Sequence, residues 1–141
     1  MIYQIKTKII EQDEYIFDYT RKKYIKNSPE EWVRQNFIIY LNNKKGYPIN
    51  LMSTEKKTRI NGLKCRSDIV CYNTKSEAIL IVECKSQKIK INNKTFDQLI
   101  NYQTSIKAKY MVITNGKKTI CFITNNNKLE LLKKIPVYKK I

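Results

Sequence analysis

Hydrophobic and polar positions change rhythm several times along the chain. From residue 1 to 25 they alternate, with Ile2, Gln4, Lys6 and Lys8 set against Tyr3, Ile5, Thr7 and Ile9; Tyr15-Ile16-Phe17 and Lys23-Tyr24-Ile25 follow. A period of two predicts strands, here short outer ones. Ser28-Pro29-Glu30-Glu31 then opens a helix, with serine at the N-cap, proline at the first helical position and glutamate at the third, a capping box. The helix is expected to run to about Asn43, with Gly46-Tyr47-Pro48 ending it. Trp32, Val33, Phe37, Tyr40 and Leu41 supply its apolar stripe.

Leu51 to Ile60 reads as a strand, and Asn61-Gly62 as a hairpin turn into Arg66-Ser67-Asp68-Ile69-Val70-Cys71-Tyr72. Polar residues 73–77 then make a second hairpin connection. It leads into Ala78-Ile79-Leu80-Ile81-Val82-Glu83-Cys84-Lys85, around which the rest of the chain is organised. Five apolar residues without a turn signal predict a strand buried on both faces. Alternation puts Ile79, Ile81, Glu83 and Lys85 on one face and Leu80, Val82 and Cys84 on the other. An even loop, Thr74 to Glu77, pairs Asn73 with Ala78 and sets Asp68 directly opposite Glu83, Cβ atoms about 4.5–5.5 Å apart. An odd loop would slip the register and send Asp68 to the other face.

Ser86 to Lys94 is polar and basic. Thr95 is expected to cap a second helix, Phe96 to about Ile106, on which Gln98 and Tyr102 share a face. Strands at Lys109–Thr114 and Thr119–Thr124 flank Asn115-Gly116, and 129–141 reads as a short tail. The order predicts a single α/β domain over 1–141: outer strands in 1–25, then a core over 26–138 with a mixed central sheet flanked by helices.

Composition narrows the function. Twenty-eight Lys and Arg against twelve Asp and Glu give a net charge of +16. That favours a polyanionic partner, nucleic acid ahead of an anionic membrane, over a merely lysine-biased surface. No run approaches the roughly 18 apolar residues of a membrane span, and the first residues lack the apolar core of a signal peptide. A cytoplasmic protein is expected, with no membrane partner. Cysteines 65, 71, 84 and 121 show no metal-binding spacing and read as buried free thiols of a reducing compartment. Histidine is absent, which excludes Ser-His-Asp hydrolysis, His-dependent nuclease folds and the usual His-bearing zinc sites.

Hydrolysis would therefore run on carboxylates, lysine and a metal. Two opposed carboxylates repel, and a divalent cation is their natural third party. With oxygen donors and neither thiolate nor imidazole, the set suits Mg²⁺ or Mn²⁺. Lys85, on the same face, is placed to position a water or a phosphate oxygen. The plain alternative is a Glu83–Lys85 salt bridge. Glu31 is first a capping residue, but it is also placed to support a metal-bound water, with Arg34 one turn on as an expected nucleic-acid contact.

With these residues in place, the chain resembles the PD-(D/E)XK nuclease superfamily, and in particular the N-terminal nuclease domain of type I restriction enzyme motor (R) subunits, over roughly residues 16 to 138. The resemblance rests on Pro29-Glu30-Glu31-Trp32-Val33-Arg34-Gln35, Arg66-Ser67-Asp68-Ile69-Val70, Val82-Glu83-Cys84-Lys85 and Phe96-Asp97-Gln98-Leu99-Ile100-Asn101-Tyr102, the last a Gln-x-x-x-Tyr signature. It implies a restriction-endonuclease-like three-layer core. It also implies a Mg²⁺-dependent endonuclease, with Mn²⁺ able to substitute, acting on DNA in a restriction, defence or DNA-processing role. Asp68, Glu83 and the Cys84 backbone carbonyl would bind the metal, Lys85 would orient the attacking water, and Glu31 would support the site. Gln98 and Tyr102 would contact the DNA backbone or brace the site. Ser67 stands where the family name has proline, and the motor that follows this domain in R subunits is not in this sequence. A homodimer, or separate motor and specificity subunits, are the protein partners expected. Two other readings stay open: a non-cleaving basic nucleic-acid-binding or regulatory module, and a small basic protein assembling on RNA.

Overall fold

The computed structural model describes residues 3–60, 63–92, 108–126 and 128–139. Three short strands come first, β1 (Thr7–Ile10), β2 (Asp13–Asp18) and β3 (Lys23–Lys26), and form an antiparallel sheet of their own. Helix α1 (Pro29–Lys45) follows. Its start is as expected, with Ser28 Oγ accepting the Glu31 N–H at 3.0 Å. Its end lies two residues beyond the expected Asn43, where Gly46 adopts φ 75 and the N–H groups of Gly46 and Tyr47 close on the carbonyls of Asn42 and Leu41. Only a residue free of a Cβ takes that left-handed conformation cheaply.

The second sheet has six strands in sequence order: β4 (Met52–Ile60), β5 (Leu63–Tyr72), β6 (Ala78–Cys84), β7 (Tyr110–Thr114), β8 (Thr119–Asn125) and β9 (Lys128–Leu132). Only the β6–β7 pair is parallel, so the sheet is mixed. Val33, Phe37, Ile38 and Leu41 of α1 bury against Ile69, Cys71, Leu80, Val82, Cys84 and Val112 on one face. On the other face Val70 and Ile81 pack with Ala108, and Met111 and Ile113 with Phe122. β6 is thus buried on both sides, which is why its run is continuous rather than alternating. Trp32 and Tyr40, expected in the helix stripe, are only partly buried at its margin. Cys71, Cys84 and Cys121 are buried free thiols.

Two expectations are corrected. The β5–β6 loop is not the even one: Tyr72 pairs with Ala78 across residues 73–77, Cys71 pairs with Leu80, and the ladder shifts between them. Asn73 shapes this five-residue loop, its Oδ1 accepting the N–H groups of Lys75 and Glu77 at 2.9 Å. The odd loop moves the register by one and the bulge at Ile79 moves it back. From Cys71–Leu80 onward the pairing is the expected one, and carried one step beyond Ile69–Val82 it sets Asp68 opposite Glu83. The second correction is the tail, whose first residues form β9. The remainder straps back over α1, with Tyr138 N–H on the Lys45 carbonyl at 2.8 Å and Tyr47 Oη on the Pro136 carbonyl at 2.9 Å. The Asn61-Gly62 turn and the second helix lie outside the described residues.

Candidate active site

β5, β6 and the first turns of α1 meet at one place. Asp68, Glu83, Glu31 and Arg34 are all buried there, Arg34 to 1% exposure. A cation and three carboxylates out of water persist only if they answer one another. Arg34 forks between two of them: Nη1 donates to Glu31 Oε1 at 2.7 Å and Nη2 to Asp68 Oδ1 at 2.9 Å. The other Asp68 oxygen accepts the Cys84 N–H at 2.8 Å. This bond ties β5 to the end of β6 at the Glu-Cys-Lys segment. Gln35, fully buried, donates from Nε2 to Glu31 Oε2 at 3.0 Å and accepts the Tyr19 N–H at 3.1 Å. The chain beyond β2 is thereby linked to the carboxylates.

The capping box is therefore only half used. Ser28 caps the helix, but its own N–H is taken by Asn27 Oδ1 at 2.9 Å. The Glu31 carboxylate turns inward to Arg34 and Gln35. Arg34, expected as a nucleic-acid contact, lies inside the protein among carboxylates. Its burial and its two carboxylate partners make it an internal cation that holds Asp68. Gln35 is a site residue that sequence reasoning misses, although its spacing of four from Glu31 puts both on one helix face.

Glu83 differs from its neighbours. Lys85 Nζ reaches Oε1 at 3.1 Å from a side chain that is 24% exposed, while the Lys85 backbone N–H is fixed to the Thr114 carbonyl at 2.8 Å. Oε2 is buried with no hydrogen-bond partner among the described residues. Burial first, then repulsion from Asp68, push the Glu83 carboxyl up to about 7, against the pull of Lys85. A carboxyl raised in this way takes up a proton more readily than an exposed one.

Among the described residues no group of three or more His, Cys, Asp or Glu side chains is arranged around a common ion position. Mg²⁺ does not demand one, since it commonly takes one or two carboxylates and keeps several waters. The Glu83 oxygen that has no hydrogen-bond partner among the described residues, beside Asp68, fits such an ion. Gln98 and Tyr102 lie outside the described residues.

A mixed six-stranded sheet, a helix packed across it and an Asp/Glu-x-Lys set at adjoining strands define the restriction-endonuclease-like class of α/β fold. The family model for the N terminus of type I restriction enzyme R proteins matches residues 29–136, most of the chain. The chain belongs to that family. Among solved structures it is similar to a fragment assigned as an HsdR subunit of a type I restriction enzyme from Vibrio vulnificus, with a TM-score of 0.58 and 17% sequence identity over 77% of this chain. The match spans only 23% of that longer chain. No curated protein matches the sequence.

Proposed function

We propose that the protein is a metal-dependent nuclease that hydrolyses phosphodiester bonds of nucleic acid, DNA foremost, in a restriction or DNA-processing role. The observation that carries this is the buried, unpaired Glu83 oxygen beside Asp68, with the Lys85 ammonium on the same carboxylate. Membership of a family named for the R proteins of type I restriction enzymes supports it, as does a net charge of +16 that gathers a polyanion. Motor and specificity subunits are the partners the family suggests.

Asp68, Glu83 and the Cys84 carbonyl would hold a Mg²⁺ ion. A bound divalent cation supplies Lewis acidity toward the phosphate and lowers the pKa of a coordinated water. The chain's own residues do the rest. Arg34 and the Cys84 N–H fix Asp68 so that it does not swing when charge changes nearby. Glu31, held in turn by Gln35, keeps the Arg34 fork from collapsing onto Asp68 alone. Lys85 is the one cation of this described cluster with solvent access, so it can leave Glu83 to steer a water or a phosphate oxygen. The test is cleavage of duplex DNA with Mg²⁺ by wild type, Glu83→Gln and Lys85→Ala. Loss in both variants, with circular dichroism unchanged, is expected; either variant cutting at the wild-type rate would overturn the assignment.

A further inference from the structure

A second feature lies at the same end of the large sheet as the carboxylates. A cavity of about 390 Å³ opens between the C-terminal half of α1 and the β8–β9 edge, and three lysines line it: Lys45, Lys133 and Lys134. Tyr40 and Thr119 add hydroxyls, and no carboxylate is among the described lining residues. None of the three lysines makes an ion pair among the described residues. Lys45 has a structural reason to be there, since a cation suits the C-terminus of a helix. Lys133 and Lys134 have none. They follow β9 directly, in a segment whose course Tyr47 and Tyr138 pin to the end of α1.

The register relates this cavity to the site. Cys84, between Glu83 and Lys85, pairs with Thr114, and Thr114 pairs with Thr119. β9 ends at Leu132 opposite Cys121, so Lys133 and Lys134 emerge at the end of the sheet where that row of residues stands. Three strand spacings, about 14 Å, separate Lys133 and Lys134 from the end of β6. A smaller cavity lined by Asn36, Tyr40, Thr114, Gly116 and Thr119 lies between. It shares Tyr40 and Thr119 with the larger one, so the two cavities adjoin.

We infer that this lysine-lined cavity is a second binding subsite, for a backbone phosphate of the nucleic acid whose scissile bond lies at Asp68 and Glu83. A span of about 14 Å corresponds to about four steps of roughly 3.4 Å measured along the axis of a duplex. The subsite fixes which way the strand crosses the end of the sheet. Uncompensated cations with adjoining hydroxyls are the groups that hold phosphate.

The inference rests on the nuclease reading, but its test does not need cleavage. The probe is a short labelled duplex, with binding followed by fluorescence anisotropy at increasing NaCl without divalent cation. Every phosphate that the protein no longer neutralises makes the log–log slope shallower by about 0.9. Lys45→Ala/Lys133→Ala/Lys134→Ala should lose about 0.9 unit of slope, the share of one phosphate. The double variant Lys133→Ala/Lys134→Ala, which leaves the helix untouched, should lose most of that same share. Lys23→Ala/Lys75→Ala/Lys128→Ala, remote exposed positions, should keep the wild-type slope. Wild-type slope and affinity in the triple cavity variant would overturn the subsite while leaving the carboxylates' role intact. A melting temperature raised by inorganic phosphate in wild type but not in the triple variant, with the duplex slope unchanged, would also overturn it, marking a small-anion site instead.

Discussion

Two carboxylates buried in this molecule meet opposite fates. Asp18, at the end of β2, is fully buried, and its own turn closes around it. Its Oδ1 accepts the Thr20 N–H at 2.9 Å, the Thr20 hydroxyl at 2.7 Å and the Arg21 N–H at 3.3 Å. Its Oδ2 has no hydrogen bond but is ion-paired, with Arg21 Nε 3.3 Å away. Glu83 is nearly as buried at 6% exposure, yet it has one lysine on one oxygen, while the other has no donor group among the described residues and only the Asp68 carboxylate acting on it. Burial alone therefore does not mark a functional acid. What marks it is burial with donors withheld, next to a second carboxylate. Asp18 holds a turn together; Glu83 is left open by the fold around it.

The largest expected contrast is in catalysis. Glu83→Gln or Asp68→Asn should lower cleavage by on the order of 10³-fold, the scale of losing a group that acts on developing charge. Asp18→Asn should cut as wild type does. Equal losses at Asp18 and Glu83 in folded proteins would erase the distinction.

Stability should group the three acids differently. Asp18→Ala strands several buried donors and should cost about 1–3 kcal/mol in urea unfolding. Asp68→Asn leaves Arg34 with Glu31 alone and should cost a similar amount. Glu83→Gln removes a buried charge that is poorly answered, and should leave the metal-free protein as stable as wild type or more so.

A smaller effect is its pH dependence. The Glu83 carboxyl is raised in the folded state, to about 7 from 4.5, so folding takes up a proton in that interval. Its contribution to stability is complete below about 4.5 and is lost as pH rises through about 7. The wild-type melting temperature, measured relative to Glu83→Gln, should thus fall between about pH 5 and pH 8. A difference that stays flat would mean that Glu83 is not held high.

Much of this site is legible in the sequence, for uneven reasons. The continuous apolar run before Glu83 announces a central strand. Ser28-Pro29 and Gly46 mark the helix because caps are local chemistry. The pairing of Asp68 with Glu83 is reached from the pattern through the wrong turn. A five-residue loop and a bulge cancel in parity, and hydrophobic pattern alone sees only their sum. The burial of Arg34 is not legible in the sequence because it depends on tertiary neighbours: nothing within one turn reveals that Asp68 waits on another element. β9 escapes notice because an edge strand that leaves Leu131 and its charged residues exposed carries little apolar signal.

The central claim is that Glu83, unlike Asp18, is kept open for a cation shared with Asp68. Titration calorimetry with Mn²⁺ on the metal-free protein addresses it without any substrate. Wild type and Asp18→Asn should bind an ion with the same affinity, and Glu83→Gln should bind it at least about tenfold more weakly, the smallest loss expected even of a group that only supports a ligand. Undiminished Mn²⁺ affinity in Glu83→Gln would contradict the account.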